Sequence, residues 1–276
     1  MKKLLVTGDK GFIGKRVAEQ FYGAGWNVDG CDYNEAVPNV SGYDLVIHLG
    51  AISSTNNRDA EAIYKQNYQY SIDLMNSCLI DNVHFQYASS ASVYGTNTNF
   101  EEDSPKNPQS GYAWSKFYLD QYAEKVMSFP TSSTIQGFRY FNVYGAGEEH
   151  KLQPSPITFF TNQAKETGII KVFEDSANFK RDFINVFDIC SLHLALAEKP
   201  ESGIFNVGTG STVSFQEVAI QIAEKYGAEV VEVPMPNDIK DQYQKYTCAD
   251  LTKLNKIIPH KDWCEWTVAE YIDNAL

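Results

Sequence analysis

The chain has 276 residues, a formal net charge of −12 and a pI near 4.9. It is long enough for one large or two intimate domains, and its acidity, spread over charges of both signs, excludes nucleic acid and anionic membrane as main partners. Five dispersed cysteines, Cys31, Cys78, Cys190, Cys248 and Cys264, with no Cys-x-x-Cys pair, read as reduced thiols, Cys31 and Cys78 as core residues. No apolar run reaches the length of a signal peptide or membrane span, so the expected location is the cytoplasm.

A strand over residues 3–7 runs into Gly8-Asp-Lys-Gly11-Phe-Ile-Gly14, which opens a helix over 12–23. Strand, glycine turn and helix form the context of a dinucleotide site: glycines let the backbone approach a pyrophosphate, and the helix N-terminus faces its charge. A second strand, 27–32, ends at Asp32, about twenty residues beyond the turn, where a carboxylate bonds ribose hydroxyls. Further strands at 44–49, 84–88 and 134–138 alternate with helices at 59–80 and 109–127. Alternation of this kind predicts a doubly wound, Rossmann-like parallel sheet. After Gly145 the pattern loosens into a Pro-containing loop, 152–156, a helix over 157–167 and a strand over 170–173. Residues 186–198 read as a helix that packs back on the first domain, and 215–226 and 267–275 as further helices. The expected division is a dinucleotide-binding domain, 1–145 plus about 183–207, and a smaller interleaved C-terminal domain, about 146–182 and 208–276.

Within helix 109–127, Ser110-Gly-Tyr112-Ala-Trp-Ser-Lys116 puts a phenol and an ammonium on one helical face. A lysine beside a tyrosine favours the phenolate, which can exchange a proton with a substrate hydroxyl. Upstream, Tyr87-Ala-Ser89-Ser90-Ala-Ser92-Val-Tyr94-Gly95 ends a strand in hydroxyls, and Ser90 can bond the same substrate oxygen.

Glycine turn, serine strand and Tyr112/Lys116, in that order, resemble the extended short-chain dehydrogenases/reductases over nearly the whole chain. Asn67-Tyr-Gln-Tyr-Ser71, Gly137-Phe-Arg-Tyr-Phe-Asn142-Val143-Tyr-Gly145, His150-Lys151, Asn178-Phe-Lys-Arg181-Asp-Phe183, Gly203-Ile-Phe-Asn-Val-Gly-Thr-Gly210 and Tyr243-Gln244 are similar to the ADP-glyceromanno-heptose 6-epimerase subgroup. The resemblance implies an isomerase that inverts C6″ of ADP-D-glycero-D-manno-heptose, for lipopolysaccharide core synthesis, by transient oxidation and re-reduction with a bound nicotinamide. It implies a homo-oligomer and a C-terminal domain that holds the nucleotide sugar. Its carry-over to cofactor contacts covers Gly8, Gly11, Phe12, Ile13, Gly14, Asp32, Tyr33, Leu49, Gly50, Ala51, Ile52, Ser53, Gln66, Tyr112 and Lys116, with Gln66 standing where asparagine is usual. To substrate contacts it carries Ser90, Asn142, Val143, Phe173, Glu174, Asp175, Ser176, Arg181 and Tyr243, Arg181 being suited to grip a pyrophosphate. Lys151 takes the role of a second acid/base on the opposite face of the reacting carbon.

Several departures from the subgroup stand out. The dozen residues between Asp32 and Asp44 cannot hold the usual helix, strand and helix, so one βα unit is expected to be missing from the sheet edge, and with it the acidic residue that touches adenine. Segment 33–55 contains no Lys or Arg to hold a 2′-phosphate and Glu35 adds negative charge, so NAD is expected over NADP. Leu152-Gln153-Pro154 replaces a small Gly-Ser pattern, and Phe160 a histidine. On the same scaffold the alternatives are an NDP-hexose 4-epimerase or an NDP-sugar reductase. A dehydratase is disfavoured by Ala91-Ser92 in place of an acidic pair. The alternative of another class is a catalytically silent nucleotide-binding or regulatory module.

Overall fold

The computed structural model describes every residue except Glu35, Asn56, His150, Leu152, Pro200 and 237–242. The expectations that fell on Glu35, His150 and Leu152 therefore lie outside the described residues. β1 (Lys3–Thr7), β3 (Leu45–His48), β5 (Ile135–Tyr140) and β10 (Gly203–Val207) are short, almost wholly buried runs. Continuous burial is the signature of a parallel sheet covered on both faces. With β2 (Asn27–Cys31) and β4 (His84–Ser90) they form one six-stranded parallel sheet in the order β10-β5-β4-β3-β1-β2.

Strand alternation sorts side chains to the two faces. Leu5 and Val46 join Leu74, Met75, Leu119 and Ala123 on one face, under α3 (Tyr70–Ile80) and α4 (Gly111–Met127). Leu4, Val6, Leu45 and Ile47 meet Val17, Phe21 and Cys190 on the other, under α1 (Phe12–Gly23) and α6 (Val186–Leu196). The sheet is thus doubly wound, as expected.

β2 is the edge. A doubly wound nucleotide-binding sheet ordinarily continues one strand further. Here the chain returns from Cys31 to Leu45 with no helix among the described residues. The link is held by buried Val40, by Tyr43 Oη donating to Asp29 Oδ2 at 2.8 Å, and by Asp44 Oδ2 accepting the Lys3 N–H at 2.7 Å. The missing βα unit is therefore a feature of the fold. It also corrects one expectation: Cys31, on an uncovered edge strand, is only half-buried, whereas Cys78 is fully buried.

The helix expected over 59–80 is not uniform. Asp59 caps α2 (Ala60–Ile63) by accepting the Ala62 N–H, a π-helical stretch follows over Tyr64–Gln69, and α3 then continues. π-bulges are rare and recur at functional sites. A second apolar core lies apart from the sheet, where α5 (Pro156–Thr167), α7 (Phe215–Tyr226), the last helix (Val268–Ala275) and the β7–β12 pair (Ile169–Phe173 with Glu229–Val233) bury Ile157, Phe160, Ile170, Val172, Ile222 and Ile272. Sequence reading missed β6 (Asn142–Tyr144), the short strands β8 (Lys180–Arg181) and β9 (Phe183–Asn185), and β10, each brief and lying within or against a motif, and it missed β12, whose Glu229 and Glu232 interrupt its apolar run.

Candidate active site

The registers Thr7↔Cys31, Thr7↔His48, His48↔Tyr87 and Ser90↔Tyr140 bring the strand ends level. Gly8, Asp32, Leu49–Ser53 and Ser90 all follow at the carboxyl edge of the sheet, where open α/β sheets bind ligands. Gly8, Gly11, Asp32, Tyr33, Leu49, Gly50, Ala51 and Gln66 line a cavity of about 300 Å³ there. Every one of these belongs to the expected cofactor set, Gln66 included.

The turn is shaped for close approach. Gly8 adopts φ +72°, and a Cβ on it would sit 2.7 Å from the Gly50 backbone. A Cβ on Gly14 would overlap the Gly8 carbonyl oxygen. Gly11 caps α1 with no side-chain hydrogen bond, so the helix N-terminus keeps its N–H groups for an anion. A cradle that any Cβ would fill, beside an uncapped N-terminus, fits a dinucleotide. At the ribose end Asp32 is exposed and lies 3.2 Å from Lys10 Nζ, a cation inside the turn that the reading of segment 33–55 did not count.

Ser110 caps α4 by accepting the Ala113 N–H, which sets Tyr112, Lys116 and Asp120 on successive turns of one face. Ser90 lies close enough to the Tyr112 phenol to favour its ionised form, and Ser90 Oγ accepts the Ser92 N–H at 3.2 Å. Burial raises the Tyr112 pKa, with Ser90 opposing and Asp120 adding to the rise. Lys116 is 2% exposed; its ammonium donates to the Ala88 carbonyl at 2.7 Å and lies 5.9 Å from the centre of the Tyr112 ring. Burial lowers its pKa to about 8, against the pull of Asp120. The expectation that Lys116 alone lowers the tyrosine is thus too simple: at 5.9 Å its charge does not offset the desolvation of the phenolate.

Asp120 lies in the core beneath the pair. It accepts Tyr87 Oη at 3.0 Å, Ser89 Oγ at 2.9 Å and Arg139 Nε at 2.8 Å, tying the strand of Ser90 to the helix of Tyr112. Asn67, within the π-stretch, grips the second cofactor turn: its amide accepts Ile52 N at 2.8 Å, donates to Ile52 O at 2.9 Å and reaches Ser115 Oγ at 3.2 Å. Neither residue is among the contacts that the sequence implies. A carboxylate one turn beyond Lys116 on a face otherwise buried was the available signal for Asp120, and Asn67 stood inside a quoted motif.

In the second lobe Arg181 is 8% exposed, with its guanidinium between the rings of Phe215 (5.1 Å) and Tyr243 (5.5 Å). It donates to the carbonyls of Lys180 and Gln244, and among the described residues it pairs with no carboxylate. It is not a surface ion pair: Lys180 is exposed, and Asp182 turns away to accept Thr209 N and Oγ1, Gly210 N and Ala249 N. A buried cation without a counter-ion is a prepared anion site, and burial lowers its pKa. Phe173 and Tyr243 line an apolar cavity of about 390 Å³ with Pro154, Phe159 and Phe160. Ser176 is buried nearby in sequence, whereas Glu174 and Asp175 are exposed, and Asn142 and Val143 are half-buried. Gln244 Nε2 donates to the Gly95 and Asn97 carbonyls at 2.5 and 3.3 Å, fastening this lobe to the loop after Ser90. Lys151 is partly exposed, 4.0 Å from Glu148 and 5.0 Å from the centre of the Phe12 ring.

Comparison with known proteins agrees with this geometry. The model of the NAD dependent epimerase/dehydratase family matches residues 4–208. An ADP-L-glycero-D-manno-heptose-6-epimerase from Brachyspira hyodysenteriae is 40% identical over 229 residues, covering 81% of this chain and 72% of that one. Among solved structures, the Helicobacter pylori ADP-L-glycero-D-manno-heptose-6-epimerase superposes with a TM-score of 0.86 at 23% identity, over 99% of this chain and 94% of that one. A UDP-N-acetylglucosamine 4-epimerase from Methanobrevibacter ruminantium gives 0.85 at 21%, over 99% and 95%. At such identities the structural likenesses show the fold alone.

Proposed function

The chain belongs to the NAD dependent epimerase/dehydratase family, and from that premise we propose that it is a nucleotide-sugar epimerase that inverts one carbon by oxidising its alcohol and re-reducing the carbonyl. The observation that carries this reading is the gathering of Ser90, Tyr112 and Lys116, one turn on from Tyr112, at the sheet edge that also holds the glycine turn, with Ser90 close enough to favour the Tyr112 phenolate. A nicotinamide bound in the cavity from Gly8 to Gln66 would accept the hydride and return it. Tyr112 acts as the phenolate, which the positive charge of a bound oxidised nicotinamide would favour against the burial that raises its pKa; its Oη takes the alcohol proton, while Ser90 Oγ donates to the same oxygen. Lys116 supplies the nearest buried cation, held in place by the Ala88 carbonyl. Arg181 grips the substrate pyrophosphate and so orients the sugar. Lys151 hands a proton to the opposite face when the carbonyl is reduced, which lets two fixed groups serve two geometries.

The substrate we assign is ADP-D-glycero-D-manno-heptose, inverted at C6″; the 40% identical relative supports it. Asp32 favours NAD over NADP. Self-association is supported by an exposed aromatic strip on the π-stretch and α4: Tyr64 is 54% exposed, Trp114 41% and Tyr118 51%. No helix among the described residues is long and apolar enough to cross a membrane. Incubation with that substrate and NAD⁺, following C6″ by NMR, tests the reading. Conversion that Tyr112→Phe abolishes is the expected result. Inversion of a hexose C4 instead would move the assignment to a 4-epimerase, and a protein that neither turns over nor retains cofactor would be the silent module.

A further inference from the structure

The loop that carries Lys151 is shaped by a carboxylate to which the chemistry above gives no part. Glu148 is fully buried. Its Oε1 accepts Ser155 Oγ at 2.6 Å, Thr158 Oγ1 at 2.7 Å and Gly145 N at 3.3 Å, and its Oε2 accepts Ser155 N at 2.7 Å. These donors lie at the two ends of one loop: Gly145 where it leaves β6, and the cap and first turn of α5 where it finishes. Between them the Lys151 N–H closes onto the Glu148 carbonyl at 2.9 Å. The Lys151 ammonium stands 4.0 Å from Oε2, above the ring of Phe12, the first residue of α1.

Capping α5 does not require an acid here, because Ser155 already caps that helix through Thr158 N. The charge of Glu148 therefore calls for another recipient, and the ammonium is the cation it meets. Burial lowers the Lys151 pKa and Glu148 raises it. Among the described residues, the other charged and titratable groups near the loop are Arg16, Glu149 and Tyr271. Arg16 on α1 donates to the Ala146 carbonyl at 3.3 Å and pairs with Glu19 at 2.8 Å. Glu149 accepts the Gly147 N–H at 3.2 Å. Tyr271 on the last helix has its pKa raised by burial and by Glu148 and Glu149, so it stays neutral.

We propose that Glu148 is a positioning residue for Lys151: it fastens both ends of the loop so that the ammonium stands at the mouth of the glycine turn, and its charge keeps that ammonium protonated. The proposal deepens the assignment of Lys151 as second acid and rests on it.

The test reads Lys151 without turnover. The full chain, as purified, is trace-acetylated with acetic anhydride across alkaline pH, and the peptide containing Lys151 is quantified by mass spectrometry. Glu148→Gln should lower the midpoint for Lys151 by about one pH unit, the scale of a charge 4.0 Å away in a partly wet site. Glu148→Asp, which keeps the charge, should restore most of that shift. Ser155→Ala, which removes the cap and one donor but leaves the carboxylate, should not move it. In turnover, the alkaline limb of the Glu148→Gln pH profile should fall by the same amount. A midpoint unmoved by Glu148→Gln, or moved as far by Ser155→Ala, overturns the proposal and leaves Glu148 a loop clasp. Should Glu148→Gln fail to fold, an Asp variant whose midpoint drops by about a unit overturns it, and one that holds the midpoint while Lys151 labelling in Ser155→Ala is unchanged supports it. A separate Lys151→Met variant with undiminished turnover would remove the acid role itself while leaving the labelling result standing, so the two failures are distinguishable.

Discussion

Cofactor choice turns on two side chains, Asp32 and Lys10, whose effects oppose. A phosphate monoester carries roughly −1.5 to −2 charges near neutral pH. A carboxylate bonded to the adenosine ribose stands about 5 Å from a 2′-phosphate, and at an effective dielectric near 60 for so exposed a site the repulsion is about 2 kcal/mol. That is roughly a 30-fold penalty on NADP. Lys10 Nζ lies 3.2 Å from Asp32, with the two side chains 78% and 50% exposed. A pair so wet is worth about 0–1 kcal/mol, so Lys10 can return at most about fivefold. The protein should therefore prefer NAD by about 5–30-fold. Lys10→Ala should widen the preference by about threefold, and Asp32→Asn should bring it close to unity. Titration of cofactor-free protein with NADH and NADPH, read by nicotinamide fluorescence, measures each ratio. An Asp32→Asn ratio equal to that of the unaltered protein would show that Asp32 does not face the ribose. Tighter binding of NADPH that vanishes in Lys10→Ala would make Lys10 the phosphate anchor and reverse the argument.

Two further outcomes follow from buried groups. Arg181→Met should raise KM for the nucleotide sugar by roughly 10–100-fold, the worth of charge-assisted hydrogen bonds, while cofactor affinity is unchanged. Thermal stability should hold, since the buried cation removed has no carboxylate partner among the described residues; steady-state kinetics with a melt would show it, and an unaltered KM would refute the anion site. The second outcome concerns His48 and His193, both buried and held by burial at pKa values of about 3, with Lys116 also lowering His48. Because the folded values lie below the ordinary 6.5, the unfolded chain takes up protons first as pH falls, so stability is intact above pH 6.5 and is lost toward pH 3. At pH 5 the loss should be about 2 kcal/mol for each histidine, measured as urea-denaturation free energy. Ring proton signals of His48 that titrate near pH 6 would contradict it.

The sheet was legible because central strands such as Leu45–His48 open on an apolar run, Leu45 to Ile47, and the glycine turn sits at a fixed place between strand and helix. The candidate face was legible because Tyr112 and Lys116 are local to one helix, where spacing dictates geometry. What escaped was what distant segments do to each other. The link from Asp120 to Tyr87, Ser89 and Arg139 joins a helix to two strands, and the grip of Asn67 on Ile52 depends on a π-stretch that no hydrophobic period announces. The Tyr112 pKa was misjudged for a related reason. A neighbouring charge can be read from spacing, but the desolvation that outweighs it depends on burial, which the sequence does not specify.

The missing βα unit was inferred from loop length alone, and the fold shows how the sheet tolerates the loss. An uncovered edge strand is a hazard for edge-to-edge pairing unless it is short or polar. β2 is both: Asn27, Asp29 and Gly30 are exposed along a five-residue strand. Gly30 lies where any Cβ would overlap the Asp9 carboxylate, so the edge strand is also pressed against the cofactor turn. The Gly8 N–H, bonded to the Cys31 carbonyl at 2.7 Å, fastens the turn to that strand directly. The strand that would lie beyond β2 is therefore not needed to shape the pyrophosphate cradle, which is braced from the inner side by Gly50 and from the outer side by β2 itself. On the proposed reading the outer unit would have walled the adenine side, so affinity would be concentrated in the turn, at Asp32 and in the Asn67-held loop. Substitutions at those positions should then weaken the cofactor more than in sheets that keep the outer unit.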